Sequence, residues 1–373
     1  MQVKMRRAVK YRMYPSETQA QLIDRTIGCA RFIYNQMLET RIATYKATGE
    51  TCNPTPAQYK DRFPFLREVD SLALAGAQKH LFTAYRIFFR DPGCVGFPRF
   101  KTKHRSRQTY TTYRVGNNIV LNEGGKRLKL PKVGSVRVRQ HKHIPSDWKL
   151  KSVTVEHCRS GEYTATILFE YETQAPEPVT PVSFVGLDYA SHGLYVSSAG
   201  EHANYPRFYR QMEPRLAREQ RKLSRMTRGS CNWVKQKHRV AKLAAKVRNQ
   251  RADFLHKAAN QLVSQYDCVG VEDLDMQALS QSLRLGKSTL DNGYGIFRVL
   301  LAYKLEQQGK QLMVVDRWFP SSQLCSDCGH QASITKDLSV RDWVCPSCGV
   351  WHERDLNAAV NIMREAQRLS REQ

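Results

Sequence analysis

The 373-residue sequence has no run of about 18 apolar residues, which excludes a membrane-spanning helix of ordinary composition. Its opening stretch, MQVKMRRAVKYRMYP, is basic but lacks the apolar segment of a secretion signal, so the chain is expected inside the cell. No internal repeat is visible, which leaves no basis for a stacked-repeat architecture. Acidic residues are scarce: 34 stand against 59 Lys and Arg, a formal charge of +25. So positive a chain favours a polyanionic partner, and nucleic acid is the commonest one, with an anionic membrane surface as the competitor. Paired cysteines are also rare. Of ten, Cys29, Cys52, Cys94, Cys158, Cys231 and Cys268 stand alone and read as small core residues or free thiols in a reducing compartment.

The remaining four form two tight pairs, Cys325-Ser-Asp-Cys328 and Cys345-Pro-Ser-Cys348, with 16 residues between them. That is the spacing of a zinc ribbon. Gly329 and Gly349 follow the pairs and let the backbone fold around the sulfurs. Four thiolates complete a tetrahedral shell and leave no position for water, so the ion expected is structural. His330 and His352 lie nearby and are read as ordinary polar residues, because the shell is already full.

Length allows two or three domains. Ala8 to Tyr14 alternates like a strand and stops at Pro15; Ser16-Glu-Thr-Gln then resembles a capping box that opens a helix. A second helical pattern spans Ser71 to Phe89. From about Phe97 to Tyr171 the chain is β-rich, with strand-like runs at Asn118 to Leu121, Ser135 to Arg139, Ser152 to Glu156 and Tyr163 to Tyr171. One strand far upstream of several others suggests a small barrel with helices inserted into it. Glu172 to Pro181 is Pro-rich and reads as a linker. Beyond it, Arg207 to Asn260 is basic and helical in pattern, Ile296 to Gln308 is helical, Gln311 to Asp316 is a strand, and a last helix follows Leu356.

Three acids stand at the ends of such elements. Asp188 closes Val185-Gly-Leu, Glu272 closes Val269-Gly-Val, and Asp355 precedes the last helix. Acids at strand ends and a helix start can converge at one sheet edge, where carboxylates repel unless cations neutralise them. Their natural use is to hold two magnesium ions for phosphodiester hydrolysis. Each alone also fits a plainer role: Asp188 a turn, Glu272 a solvated acidic loop with Asp273 and Asp275, Asp355 an N-cap. His192 is read as a loop histidine, and Asp273 and Asp275 as solvated.

Gly186-Leu-Asp188-Tyr, Val271-Glu272-Asp-Leu, Phe319-Pro-Ser-Ser-Gln-Leu-Cys325, Cys345-Pro-Ser-Cys348 and Arg354-Asp355-Leu-Asn-Ala-Ala-Val-Asn-Ile occur in an order that resembles the TnpB family of bacterial insertion sequences, itself similar to type V CRISPR nucleases. Tyr14-Pro-Ser, Ala30-Arg-Phe-Ile-Tyr-Asn and Gly96-Phe-Pro-Arg-Phe-Lys extend the resemblance over nearly the whole chain. It departs from the family's usual Asp-Arg-Asp at Glu353-Arg-Asp355, where the catalytic acid is the second. The resemblance implies a multidomain α+β fold: a wedge-type β-barrel (1–14 and 96–175) interrupted by a helical recognition lobe (15–95), then a RuvC, RNase H-like nuclease domain (176–320 and 351–373) with an inserted zinc ribbon (321–350). It implies an RNA-guided DNA endonuclease with Asp188, Glu272 and Asp355 as catalytic acids holding two Mg2+, and Cys325, Cys328, Cys345 and Cys348 holding one Zn2+. It also implies a transposon-derived guide RNA, a double-stranded DNA target with a short flanking motif, a monomeric ribonucleoprotein and a place in the bacterial cytoplasm at the nucleoid.

Two basic regions are candidates for the RNA and DNA. Arg218, Arg221, Lys222, Arg225, Lys235, Arg239 and Lys242 belong to a stretch that only Glu213 and Glu219 oppose between Arg207 and Arg251. Arg99, Lys101, Lys103, Arg105 and Arg107 precede Tyr110 and Tyr113, which either stack on bases or fill a sheet. A DNA-joining transposase and a non-cleaving, RNA-guided or zinc-ribbon DNA-binding repressor remain the alternatives.

Overall fold

The computed structural model describes residues 2–122, 124–141, 143–191, 193–282, 286–337 and 339–372; His192 lies outside them. The chain divides into two compact units, Met1–Ala175 and Pro176–Gln373. The boundary falls inside the Pro-rich segment.

The first unit begins with strand β1 (Gln2–Tyr14), longer than its alternation suggested. Pro15 ends it. Ser16 then caps helix α1 (Glu17–Thr48) with the expected capping box: its Oγ accepts from the Gln19 backbone N–H, and the Gln19 side chain accepts from the Ser16 N–H at 3.1 Å. The same Gln19 amide donates to the carbonyls of Val133 and Ser135, which ties the helix start to the sheet. Helix α2 (Ser71–Arg90) is capped by Asp70, whose carboxylate accepts from Leu72 N–H at 2.9 Å and from the Thr112 hydroxyl.

Strands β2 (Thr109–Tyr113), β3 (Val120–Leu121), β4 (Arg127–Leu130), β5 (Gly134–Arg139), β6 (Lys149–His157) and β7 (Tyr163–Gln174) join β1 in one sheet ordered β2-β6-β7-β1-β5-β4-β3. Among the described residues no pairing joins β2 to β3, so the expected barrel is an antiparallel sheet open between these strands. Helix α2 lies directly on β2: a Cβ on Gly76 would sit 2.2 Å from the Thr111 carbonyl. Apolar residues of α1 and α2 and the inward residues of the strands form one continuous core. Glu172 to Gln174 belong to β7, because their backbone pairs with Gln2 to Lys4, so the linker begins later than composition suggested.

In the second unit, β8 (Phe184–Tyr189), β9 (Tyr195–Ser197), β10 (Cys268–Glu272) and β11 (Gln311–Val315) form a sheet ordered β11-β10-β8-β9. The first three of that order run parallel and β9 is antiparallel to β8. Between β9 and β10 run the basic helices α3 (Phe208–Ser224) and α4 (Cys231–Gln265). Short helices α5 (Met276–Ser282) and α6 (Gly286–Asn292) and helix α7 (Tyr294–Glu306) lead to β11. A small hairpin, β12 (Asp342–Val344) and β13 (Trp351–Glu353), precedes the last helix, α8 (Arg354–Arg371).

Strand alternation decides what each sheet face meets. Val185, Leu187, Val269 and Val271 point into a core shared with Leu255, Ala259 and Leu262 of α4 and Phe297, Leu301 and Leu305 of α7. Gly186 and Gly270 point to the other face, against α8. A Cβ on Gly186 would lie 2.1 Å from the Ala359 carbonyl, and one on Gly270 would lie 2.8 Å from Ala366 Cβ. The helix therefore sits at backbone distance from β8 and β10, and only glycine permits it. No helix of the described residues is long and apolar enough to cross a membrane.

Candidate active site and metal centre

The same alternation places Asp188 and Glu272. Each stands two residues beyond its glycine and so on the α8 side of the sheet. The pairing of β8 with β10 runs from Phe184 opposite Cys268 to Leu187 opposite Val271, so the next residues on the two strands are these acids. Asp355 occupies the first turn of α8, which crosses that face. The sheet register and the close-packed helix thus bring all three acids to one edge.

Electrostatics shows the convergence. Enclosure by protein and the negative charges of Glu272 and Asp355 hold the Asp188 carboxyl well above the usual carboxylate range, against the opposing pull of Arg354. Burial likewise raises Glu272, partly offset by the Ser321 hydroxyl, which donates to its carboxylate. Asp355 accepts from the Arg341 guanidinium at 3.2 Å and 3.3 Å. Two of the three carboxylates are thus held by separate neighbours, and among the described residues the three do not form a cluster within 4.8 Å as the cysteines do.

The loops around the acids are pinned by buried amides that sequence reasoning missed. On α8, Asn357 accepts from Ser326 N–H at 2.8 Å and donates to the Leu324 carbonyl, while Asn361 donates to the carbonyls of Ser321 and Leu324. Their place one helical turn apart in the Leu-Asn-Ala-Ala-Val-Asn run is the signal that could have found them. Asp273 and Asp275 are not merely solvated, as expected. Asp273 pairs with Arg298 at 3.6 Å and Arg317 at 3.4 Å, and Asp275 caps α5 by accepting from Gln277 and Ala278 N–H.

The four cysteine sulfurs lie within 4.8 Å of one another. Cys325 to Cys348 and Cys328 to Cys345 are each 3.6 Å apart. A disulfide would require about 2.05 Å, whereas a tetrahedron of bonds of about 2.3 Å to zinc has sulfur–sulfur edges near 3.8 Å. Against the desolvation that would raise it, the Cys348 and Ser347 backbone N–H groups hold the Cys345 thiol down to about 6, while, despite the Val350 N–H, the neighbouring cysteines push Cys348 up to about 12, so the metal-free sulfurs share protons as a set. His352 is not an ordinary polar residue here. It is 6% exposed, with Nε2 3.0 Å from Cys325 Sγ and 3.7 Å from the Asp327 carboxylate. A buried imidazole this close to a sulfur is placed to donate to it and so to act as an outer partner of the cluster.

The basic residues divide. Arg99, Lys103, Arg105, Arg221, Arg225, Lys235 and Lys242 are exposed. Arg107 is exposed but forks onto Glu156. Arg218, Lys222 and Arg239 stand 3.6 Å to 3.9 Å from Glu219, a buried carboxylate to which Gln236 also donates. Two expected contacts are corrected. Tyr110 is 3% exposed, because its place in β2 faces the core, and it cannot stack on a base. Lys101 is drawn inward: the Asn35 side chain bonds both its N–H and its carbonyl, and its ammonium lies 3.8 Å from the Tyr34 ring centroid. Burial lowers its pKa accordingly.

Three family models match this chain. One described as "Probable transposase" covers residues 166–283, and one described as "Cas12f1-like, TNB domain" covers 294–362. A "Helix-turn-helix domain" model matches 1–50, where the structure has β1 followed by the single helix α1. A "Putative RNA-guided DNA endonuclease" of Streptomyces pristinaespiralis is 35% identical over 377 residues, covering 97% of this chain and 90% of that protein. "Putative RNA-guided DNA endonuclease InsQ" of Escherichia coli (strain K12) is 29% identical over 390 residues, covering 97% and 92%. The fold is similar to a chain in the cryo-EM structure of the Cas12f1-sgRNA-target DNA complex, with a TM-score of 0.58 at 13% identity over 96% of this chain and 99% of that one. With the motif blocks in order and a relative this similar along nearly its whole length, the chain belongs to the TnpB family.

Proposed function

We propose that Asp188, Glu272 and Asp355 are the catalytic acids of a RuvC-type centre and that the cysteine cluster is a structural zinc ribbon. The chain is an RNA-guided DNA endonuclease of the kind insertion sequences encode, as its relatives are named. The observation that carries the catalytic reading is the convergence of three carboxylates at one sheet edge, where burial first and the charges of Glu272 and Asp355 next raise Asp188. Hard oxygen donors of this kind fit magnesium, while the thiolates fit zinc. Bound by these acids, a pair of magnesium ions would supply water activation and stabilisation of the leaving oxygen in phosphodiester hydrolysis.

The chain's own residues prepare that site. Ser321 orients Glu272, Arg341 restrains Asp355, and burial with the neighbouring carboxylates disfavours the charged form of Asp188, a cost that bound cations would relieve. The cationic surfaces of α3 and α4 would grip phosphate irrespective of sequence, leaving base pairing by a guide RNA to choose the target. This reading includes a wedge domain of 1–14 and 96–175, a recognition lobe of 15–95, and a nuclease domain of 176–320 and 351–373 around the ribbon. It also includes a monomeric ribonucleoprotein that recognises a short motif beside its target, at work on the bacterial nucleoid.

The test is to purify the Asp188→Ala protein from cells carrying its native locus and sequence the RNA that co-purifies. A discrete RNA from the transposon end, running into flanking sequence, is expected; absence of an enriched RNA would contradict guidance. A second reading, strand transfer by the same triad, draws on the "Probable transposase" description, and joined DNA products in vitro would establish it.

A further inference from the structure

The loop after β11 carries Trp318, whose side chain is 85% exposed. Single exposed apolar side chains are common on protein surfaces; what sets this indole apart is a loop pinned on both sides beside Glu272. The loop is not loose. Asp316 accepts from Trp318 N–H at 2.8 Å and, through its carbonyl, from Phe319 N–H at 3.1 Å. On one side of the indole, Arg317 donates to the Asp273 carbonyl at 3.2 Å and pairs with its carboxylate. On the other, Ser321 donates to Glu272. Both flanks are therefore fastened to Glu272 or its neighbour, and β11 ends with Val315 in register with Glu272. The indole is presented three residues past that strand end, at the edge where the acids stand.

We propose that Trp318 is a stacking platform that seats an unpaired DNA base beside the Asp188–Glu272–Asp355 carboxylates, an inference that rests on reading these acids as the nuclease centre. Arg317, the cation next to the indole, is engaged by Asp273, so what the indole itself adds at this point is stacking, beside whatever charge the site supplies. Every base has a π-face, so the contact is indifferent to sequence, as a guided enzyme requires. In a duplex both faces of a base are covered by its neighbours, so the occupant is a single strand.

The test uses the Asp188→Ala protein purified with its RNA, which binds without cutting. A short oligothymidylate is titrated in while tryptophan fluorescence is followed. Saturable quenching is expected, and adding Trp318→Phe should remove most of it. Trp318→Ala should weaken oligothymidylate binding by about 5- to 150-fold, the range for loss of one stacked base, and Trp318→Tyr should restore most of it. Thermal melting checks folding, which an exposed side chain should not disturb. Unchanged affinity in Trp318→Ala, or quenching by a duplex as strong as by the single strand, overturns the proposal. The titration does not depend on cleavage, so full cutting by the Asp188→Ala protein would remove the nuclease reading separately.

Discussion

The cysteine cluster and the carboxylate cluster both belong to the second unit, and Asp355 follows Cys348 by seven residues, yet the two are built in opposite ways. The sulfurs close on one another at 3.6 Å, with backbone N–H groups and His352 turned toward them. The carboxylates converge without closing, and Ser321 and Arg341 hold two of them. A ligand set that closes on itself leaves no place for a substrate, whereas one held open by its neighbours does. The difference fits the proposed division, in which one centre serves the fold and the other serves chemistry, although both are clusters of potential anions.

Substitutions can break this division. The largest effect is expected on cleavage: Glu272→Gln or Asp355→Asn should lower the rate by about three orders of magnitude or more, as for members of a cooperating catalytic set. Bound zinc and RNA should stay unchanged, as read by metal analysis and by recovery of RNA. Next comes the ribbon. Cys345→Ser should lose the zinc, and His352→Ala should weaken zinc affinity by about 10- to 100-fold in a chelator competition. Neither should remove the carboxylate site directly, so cleavage that survives with lowered thermal stability is the expected pattern.

A third prediction concerns pH. Asp188 is raised in the folded chain, so without magnesium the folded state keeps a proton that the unfolded state has released. Stability then falls as pH rises from the ordinary carboxylate range through the raised pKa. Asp188→Asn should remove this loss and raise the melting temperature near neutral pH by about 2–4 °C for each 1 kcal/mol relieved, while abolishing cleavage. Calorimetry in magnesium-free buffer at several pH values checks it; a lower melting temperature for the variant would contradict the crowding of the acids. The smallest effect is expected for Arg341→Ala, an exposed ion pair worth about 0–1 kcal/mol, which should shift melting by no more than about 4 °C.

Much of this was legible in the sequence because it is written locally. An apolar run with a glycine two residues before an acid specifies a strand, a helix packed upon it and the face on which the acid emerges, and the chain has two such runs. Paired cysteines at ribbon spacing are equally local. What was not legible depends on partners remote in sequence. Ser321 meets Glu272 across 49 residues, and Asn35 captures Lys101 across 66. Tyr110 stood on a strand, Thr-Tyr-Thr-Thr-Tyr, whose two tyrosines are three apart and so fall on opposite faces, and the sequence does not say which face is inward; the packing of α2 on β2 decides it. His352 was set aside because a shell of four cysteines needs no fifth ligand, but a shell can also have outer partners that orient it, and these lie outside the pattern of the ligands.

The most direct test of the division is metal occupancy in two proteins, the unaltered chain and Asp188→Ala, each desalted and then titrated with manganese as a spectroscopically visible stand-in for magnesium. One zinc should be retained by both after desalting, and manganese should bind weakly and reversibly to the unaltered chain but not to Asp188→Ala. Equal manganese binding by the two proteins, or loss of zinc with Asp188, would contradict that division.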